Sequence, residues 1–198
     1  MLTFTANYFQ YFNMKKLLYF AGFMAILVVL HSCQQEEKKD PFQINKNSVG
    51  LLTSTTPIKA LDSIFAKDSI VNKDKGFSRG SDIMVYDKNG KELLLLDPVQ
   101  NFDSTSTIAN VRIKDERFAT DKGLTINSTF KDISKHYKIA RIENTLRSAV
   151  IFLDEINAYV TIDKEVISGS AKYNTDVKIE PSQIPDDAKI KQFWLGWK

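Results

Sequence analysis

Apolar residues recur at helical spacing in two stretches of the chain. In Val49 to Phe65 (VGLLTSTTPIKALDSIF), Ile58, Leu61 and Phe65 fall at i, i+3 and i+7. At an offset of 72 residues, in Gly123 to Tyr137 (GLTINSTFKDISKHY), Phe130, Ile133 and Tyr137 repeat the pattern. Each stretch predicts one short helix, too short to persist without packing. The starts correspond as well. Thr56 is placed to cap the first helix with Pro57 at its first position, and Ser128 to cap the second.

Behind each predicted helix the pattern changes from helical spacing to β-formers and alternation. DIMVYDKNGKELLLLD (Asp82 to Asp97) holds Asn89-Gly90 between β-formers, a hairpin signal because both residues tolerate positive φ. SAVIFLDEINAYVTID (Ser148 to Asp163) predicts a second hairpin with a looser turn over Asp154 to Asn157. A third strand follows in each case. In TIANVRIKDERF, Ala109, Val111 and Ile113 alternate with Asn110, Arg112 and Lys114; the other is AKIKQFWLGW, reached through Pro185-Asp186-Asp187. In QFWLGW, Phe193, Leu195 and Trp197 share one strand face and Trp194 takes the other.

These elements predict an α+β fold of two tandem α-β-β-β repeats, 49–118 and 119–198. Helices would pack on one face of an antiparallel sheet. The element order resembles that of the β-lactamase inhibitor protein and of the small lipoprotein of the outer-membrane barrel assembly machinery. The resemblance rests on order and repeat length over 49–198, with no shared motif, and implies a sheet that binds a protein partner.

Residues 34–47 (QQEEKKDPFQINKN) read as a flexible tether, so the predicted lipidated tether spans 33–48. Before it, Lys15 and Lys16 precede the apolar run Leu17 to Leu30, which is short for a membrane span. Residues 1–32 therefore read as a signal peptide, of which 1–13 look like an extension upstream of the true start. Leu30-His31-Ser32-Cys33 resembles a bacterial lipobox: Leu30, Ser32 and Cys33 match, and His31 departs from the small residue expected there. The resemblance implies signal-peptidase recognition through Leu30 and Ser32, with lipid attached to Cys33. Gln34, Gln35, Glu36 and Glu37 are similar to the acidic export signals of surface lipoproteins in Bacteroidetes. Outer-membrane anchoring follows from that resemblance, with the domain facing either the periplasm or the surface.

Part of the chain's positive charge belongs to the predicted leader. The chain carries 27 basic and 24 acidic residues, and two of the basic ones, Lys15 and Lys16, lie before Cys33. The remainder is close to neutral, with no basic stripe for nucleic acid. Cys33 is the only cysteine, which excludes an intrachain disulfide and a thiolate metal cluster.

Candidate chemistry is sparse. Beyond Cys33 the one histidine is His136, two residues from Ser134 on a helix and so on another face. Asp154-Glu155 and Asp186-Asp187 sit at predicted turns, where acids hydrogen-bond locally. No nucleotide-binding or hydrolase motif occurs, and no metal site or cofactor is expected. Asp103-Ser104-Thr105 matches an O-glycosylation triplet of Bacteroidetes and makes Ser104 the candidate acceptor. The expected function is that of a non-catalytic, lipid-anchored envelope protein that binds an envelope protein or supports an assembly. The alternative is a small-ligand carrier or enzyme with a cleft between the repeats.

Overall fold

The computed structural model describes residues 40–74 and 81–197. In chain order its strands are β1 (Gln43–Asn45), β2 (Ser48–Val49), β3 (Leu52–Thr53), β4 (Ser69–Asp74), β5 (Ser81–Tyr86), β6 (Glu92–Pro98), β7 (Ile108–Ile113), β8 (Ala119–Thr120), β9 (Arg141–Asn144), β10 (Ser148–Leu153), β11 (Ala158–Asp163) and β12 (Ile190–Gly196). Among the described residues there are two short α-helices, α1 (Leu61–Ile64), entered through a 3-10 turn at Ile58–Ala60, and α2 (Phe130–His136). The fold is mostly β, and α+β describes it only in the coarse sense.

Eight strands form one antiparallel sheet in the order β4-β5-β6-β7-β12-β11-β10-β9. It consists of two four-stranded meanders joined where their last strands, β7 and β12, pair. Alternation makes the sheet two-faced. Val85, Leu94, Leu96, Val111, Phe193, Leu195, Val160, Ile162 and Ile151 are all fully buried on one side. Fully burying one such side chain contributes roughly 1.5–3 kcal/mol. The same core includes Leu61 of α1, Phe130 and Ile133 of α2, and Ile44, Val49 and Leu52 of a second sheet, β3-β2-β1-β8. Ile167, Ala171, Ile179 and Ile184 join it from the long connection between β11 and β12.

Several expectations need correction. Each meander has four strands rather than three, because β4 and β9 were not predicted. Both are edge strands; Arg141 and Glu143 of β9 are charged and exposed, which blunts edge pairing there, whereas β4 exposes Val71 beside Asn72 and shows no clean alternation. The predicted tether is folded from residue 43 onward: Ile44 is 1% exposed in β1, and β2 begins at Ser48. Strands of two or three residues are too short to show alternation. Gly50 opens the β2–β3 connection at φ +56°, where a Cβ would lie 2.1 Å from the Pro41 carbonyl oxygen.

The helix starts also differ. Thr56 does not cap a helix: its Oγ1 accepts from the Thr53 N–H at 3.1 Å. Ser128 Oγ does the same for Thr125 N–H at 3.0 Å, so both hydroxyls close a turn ahead of the helix. The residue before α2 is Thr129, whose N–H and hydroxyl both donate to Asp132 Oδ2, at 2.8 and 3.0 Å.

The corresponding positions carry matching backbone bonds. Ile58 N–H donates to Ser106 O and Phe130 N–H to Ala188 O, both at 2.9 Å. Lys59 N–H donates to Ser104 O and Lys131 N–H to Asp186 O, again at 2.9 Å. At the meander junction Val111 pairs with Leu195 and Ile113 with Phe193, about the central pair Arg112–Trp194. That arrangement is a local two-fold axis.

Candidate functional site

The second face of the large sheet carries one continuous row of cross-strand neighbours. From edge to edge it runs Val71, Met84, Leu95, Arg112, Trp194, Tyr159, Phe152, Arg141. Directly opposed side chains on neighbouring strands interact, and aromatic pairs are among the favourable ones. Here they form a ladder. The Arg141 guanidinium lies 3.4 Å from the Phe152 ring centroid; Phe152 and Tyr159 centroids are 5.7 Å apart, and Tyr159 and Trp194 6.0 Å apart with planes 5° from parallel. Arg112 closes the ladder 5.5 Å from the Trp194 ring.

The sequence places these residues simply: each occupies the strand position between two core residues. Arg112 lies between Val111 and Ile113, Tyr159 between Ala158 and Val160, and Trp194 between Phe193 and Leu195. Trp194 Nε1 donates to Gln192 Oε1 at 2.9 Å, which holds the indole edge along the strand. Burial, then the nearby Asp97 carboxylate, pushes the Tyr159 phenol above its ordinary value and keeps it protonated. Arg112 has no carboxylate partner among the described residues, whereas Arg141 lies 3.0 Å from Glu143.

Beside the ladder, at the end of the β7–β12 junction, a cavity of about 580 Å³ is lined by Asn110, Arg141, Asn157, Tyr159, Gly196 and Trp197, among others. Asn110 Nδ2 donates to Asp97 Oδ2 at 3.1 Å. Trp197 is buried and donates from Nε1 to Lys46 O at 3.2 Å, so one tryptophan serves the core and the other the half-buried second face. Between the meanders, from Asn110–Gly196 to Ile113–Phe193, the strands pair directly, so the cavity sits at the end of the junction and not along it. The surfaces offered are ring edges, amides and guanidinium groups, which suit binding.

A separate polar cluster lies below the β5–β6 turn. Asp115 is fully buried and receives Arg117 Nε at 2.9 Å, Arg117 Nη2 at 3.1 Å, the Arg117 N–H at 2.9 Å and Lys91 Nζ at 3.0 Å. Burial alone would raise its carboxyl. The hydrogen bonds from Arg117 and Lys91 outweigh burial and bring it down to about 2. Arg117 also reaches Asp87 at 3.3 Å and stacks on Phe42 at 4.5 Å. This cluster ties the turn and the start of the described chain to the loop after β7, a structural role.

The predicted site residues Leu30, Ser32, Cys33, Gln34, Gln35, Glu36 and Glu37 lie outside the described residues. Ser104 is exposed in the β6–β7 loop, where Asp103 Oδ1 accepts from the Thr105 N–H and hydroxyl. His136 is exposed at the end of α2, and the Ser134 hydroxyl donates to Lys131 O. Asp154 is on the cavity rim, 3.8 Å from Arg141, and Glu155 pairs with Lys122. Asp186 is 4.0 Å from Lys131, and the two acid pairs are not brought together on one site. Among the described residues no group of three His, Cys, Asp or Glu side chains could hold a metal ion.

Of the ladder, sequence reasoning singled out only Trp194. Arg112, Tyr159 and Phe152 each had the outward alternation, whereas Arg141 lies on the unpredicted β9, and the register that aligns the four spans separate strands.

No protein-family model matches the chain, and no curated protein matches it. Among solved structures the chain is similar to the uncharacterized protein yfeY from Escherichia coli. The TM-score is 0.50 at 15% identity, covering 78% of this chain and 99% of that one. At that identity the similarity is one of fold alone.

Proposed function

We propose that the protein is a lipid-anchored envelope protein without catalytic activity. Its domain, a duplicated helix-plus-meander unit, binds another protein through the open face of the eight-stranded sheet. The observation that carries this reading is the Arg141–Phe152–Tyr159–Trp194–Arg112 ladder. Trp, Tyr and Arg are the residues most enriched where binding energy concentrates: the rings offer large contact area for little conformational entropy, and the guanidinium offers a planar fork of donors. Arg112 adds a guanidinium without a carboxylate partner among the described residues, suited to an acidic side chain of the partner.

Duplication is supported by the matching bonds of Ile58 and Phe130 and by the two-fold arrangement about Arg112–Trp194. Anchoring is supported by Leu30, Ser32 and Cys33 with the basic residues before them, and export to the outer membrane by Gln34 to Glu37. Diacylglycerol together with an N-acyl chain on Cys33 would supply the two signals a stable anchor requires.

Two experiments test the reading. Radioactive palmitate should label the wild-type chain and not Cys33→Ala; equal label refutes anchoring through this residue. Affinity capture from detergent-solubilised envelopes should recover a protein that Trp194→Ala and Arg112→Ala lose and Ser104→Ala retains. Recovery indifferent to the ladder variants refutes the binding face. The cavity beside the ladder favours a second reading, a small-ligand carrier. In that case Gly196→Leu, which would fill the cavity beside Asn110 and Tyr159, abolishes binding of the ligand; unchanged binding refutes that reading.

A further inference from the structure

The strongly exposed apolar side chains include two, Leu146 at 86% and Tyr173 at 84%, on the rim of one cavity of about 330 Å³. Val166, from the same β11–β12 connection, is also exposed. Arg147, Lys172, Lys191 and the largely buried Lys164 line the cavity with Asp163 and Glu165, a local excess of two positive charges. Lys191 pairs with Asp163 at 2.6 Å, whereas Arg147 forms no ion pair among the described residues. Tyr173 is held in place: Asn144 Nδ2 donates to Ala171 O, Asn174 O and Val177 O at 3.0, 2.9 and 2.7 Å, pinning the segment on both sides.

Strand register fixes which end of the sheet this is. Ser148 pairs with Asp163, Ile162 with Ile190, Phe193 with Ile113, and Ile113 with Leu94. The patch therefore shares an end with the start of β6 and the β5–β6 turn. The described chain begins there too: Phe42 stacks edge-on to Phe118 and, with Asp87, Leu93 and Arg117, lines a small cavity. Six residues lie between Cys33 and Asp40, and those seven steps span at most about 25 Å when fully extended.

We propose that this end of the sheet rests on an anionic phospholipid surface. Leu146 and Tyr173 enter the headgroup boundary, and the basic rim meets the lipid phosphates. The proposal rests on the reading that Cys33 carries lipid, and it adds an orientation: the ladder runs across the sheet, clear of the bilayer, and remains open to a partner. Apolar side chains flanked by cations are the composition that binds in the interfacial plane, where burial is roughly 5–10 Å deep.

The test uses the lipidated chain reconstituted into vesicles of phosphatidylethanolamine and phosphatidylglycerol. Cys33 is the only cysteine, so with its sulfur acylated a thiol-reactive fluorophore attaches only to an introduced one. Leu146→Cys and Tyr173→Cys should give blue-shifted emission quenched by nitroxide-bearing lipid. Asp154→Cys, in the turn at the opposite end of β10, should emit as in water. Replacing phosphatidylglycerol with phosphatidylcholine should weaken the quenching. No quenching at either patch position, or equal quenching at Asp154→Cys, overturns the proposal; quenching indifferent to lipid charge overturns the role of the basic rim. Labelling of the wild-type chain itself would show a free Cys33 and refute the anchoring reading separately.

Discussion

Acidification isolates the energetic contribution of the Asp115 cluster. The carboxyl is fully buried and lies at about 2, against an ordinary value of 3.8. At 1.36 kcal/mol per pH unit, that difference corresponds to about 2 kcal/mol of stability. The sign follows from the direction of the change. Because the folded-state value lies below the unfolded one, the contribution is fully present above about pH 5 and fades as pH falls toward 2. Asp115→Asn keeps the shape and loses the charge, so it lacks this component at every pH. Arg117 and Lys91 are themselves partly exposed and re-solvate when Asp115 is neutral, which keeps the loss nearer 2 kcal/mol than the larger cost of stranding a fully buried partner. Urea unfolding of wild type and variant at pH 7, 4 and 2.5 measures the effect. The gap should be about 2 kcal/mol at pH 7 and mostly closed at pH 2.5. Asp87 shares Arg117, so the closing is a property of the cluster. A gap that stays constant over this range would refute the argument that the buried charge is held by these bonds.

Three further outcomes are expected. Ile151→Ala, at a fully buried position of β10, should cost about 3 kcal/mol in urea unfolding, since a deleted methyl-rich side chain leaves a cavity as well as losing transfer energy. Asp132→Ala should cost about 1 kcal/mol at pH 7 and less in acid. Its carboxyl is held below the ordinary value by the Thr129 N–H and then the Thr129 hydroxyl, so its contribution is present above about pH 4 and lost below it, as a pH series of melting curves would record. Asn144→Ala should raise amide exchange across residues 171–177 far more than in β10 or β11, because one side-chain amide holds three carbonyls of that segment.

Much of the local structure was legible because its physics is local. Asn89-Gly90 reads as a turn through its tolerance of positive φ, and Gly90 adopts φ +79° between β5 and β6. Alternation in NVRI and QFWLGW separates core from open face residue by residue, and Leu61 and Ile133 are buried where helical spacing puts them. The lipid anchor at Cys33 is likewise a proposal drawn from sequence alone, since its basis is a linear recognition pattern. Edge strands β4 and β9 were invisible, because an edge strand buries little and needs no continuous apolar pattern. So was β1, where burial of Ile44 comes from what lies over it.

The ladder could be settled only by tertiary structure. Outward alternation makes Arg112, Trp194, Tyr159 and Phe152 candidates for the open face, but a one-residue slip in any strand would turn its partner inward. Two long stretches, 114–147 and 164–189, separate these strands, and no local rule sets the register across them. The packed core sets it, by requiring Val111, Phe193, Leu195 and Val160 to point the same way at once.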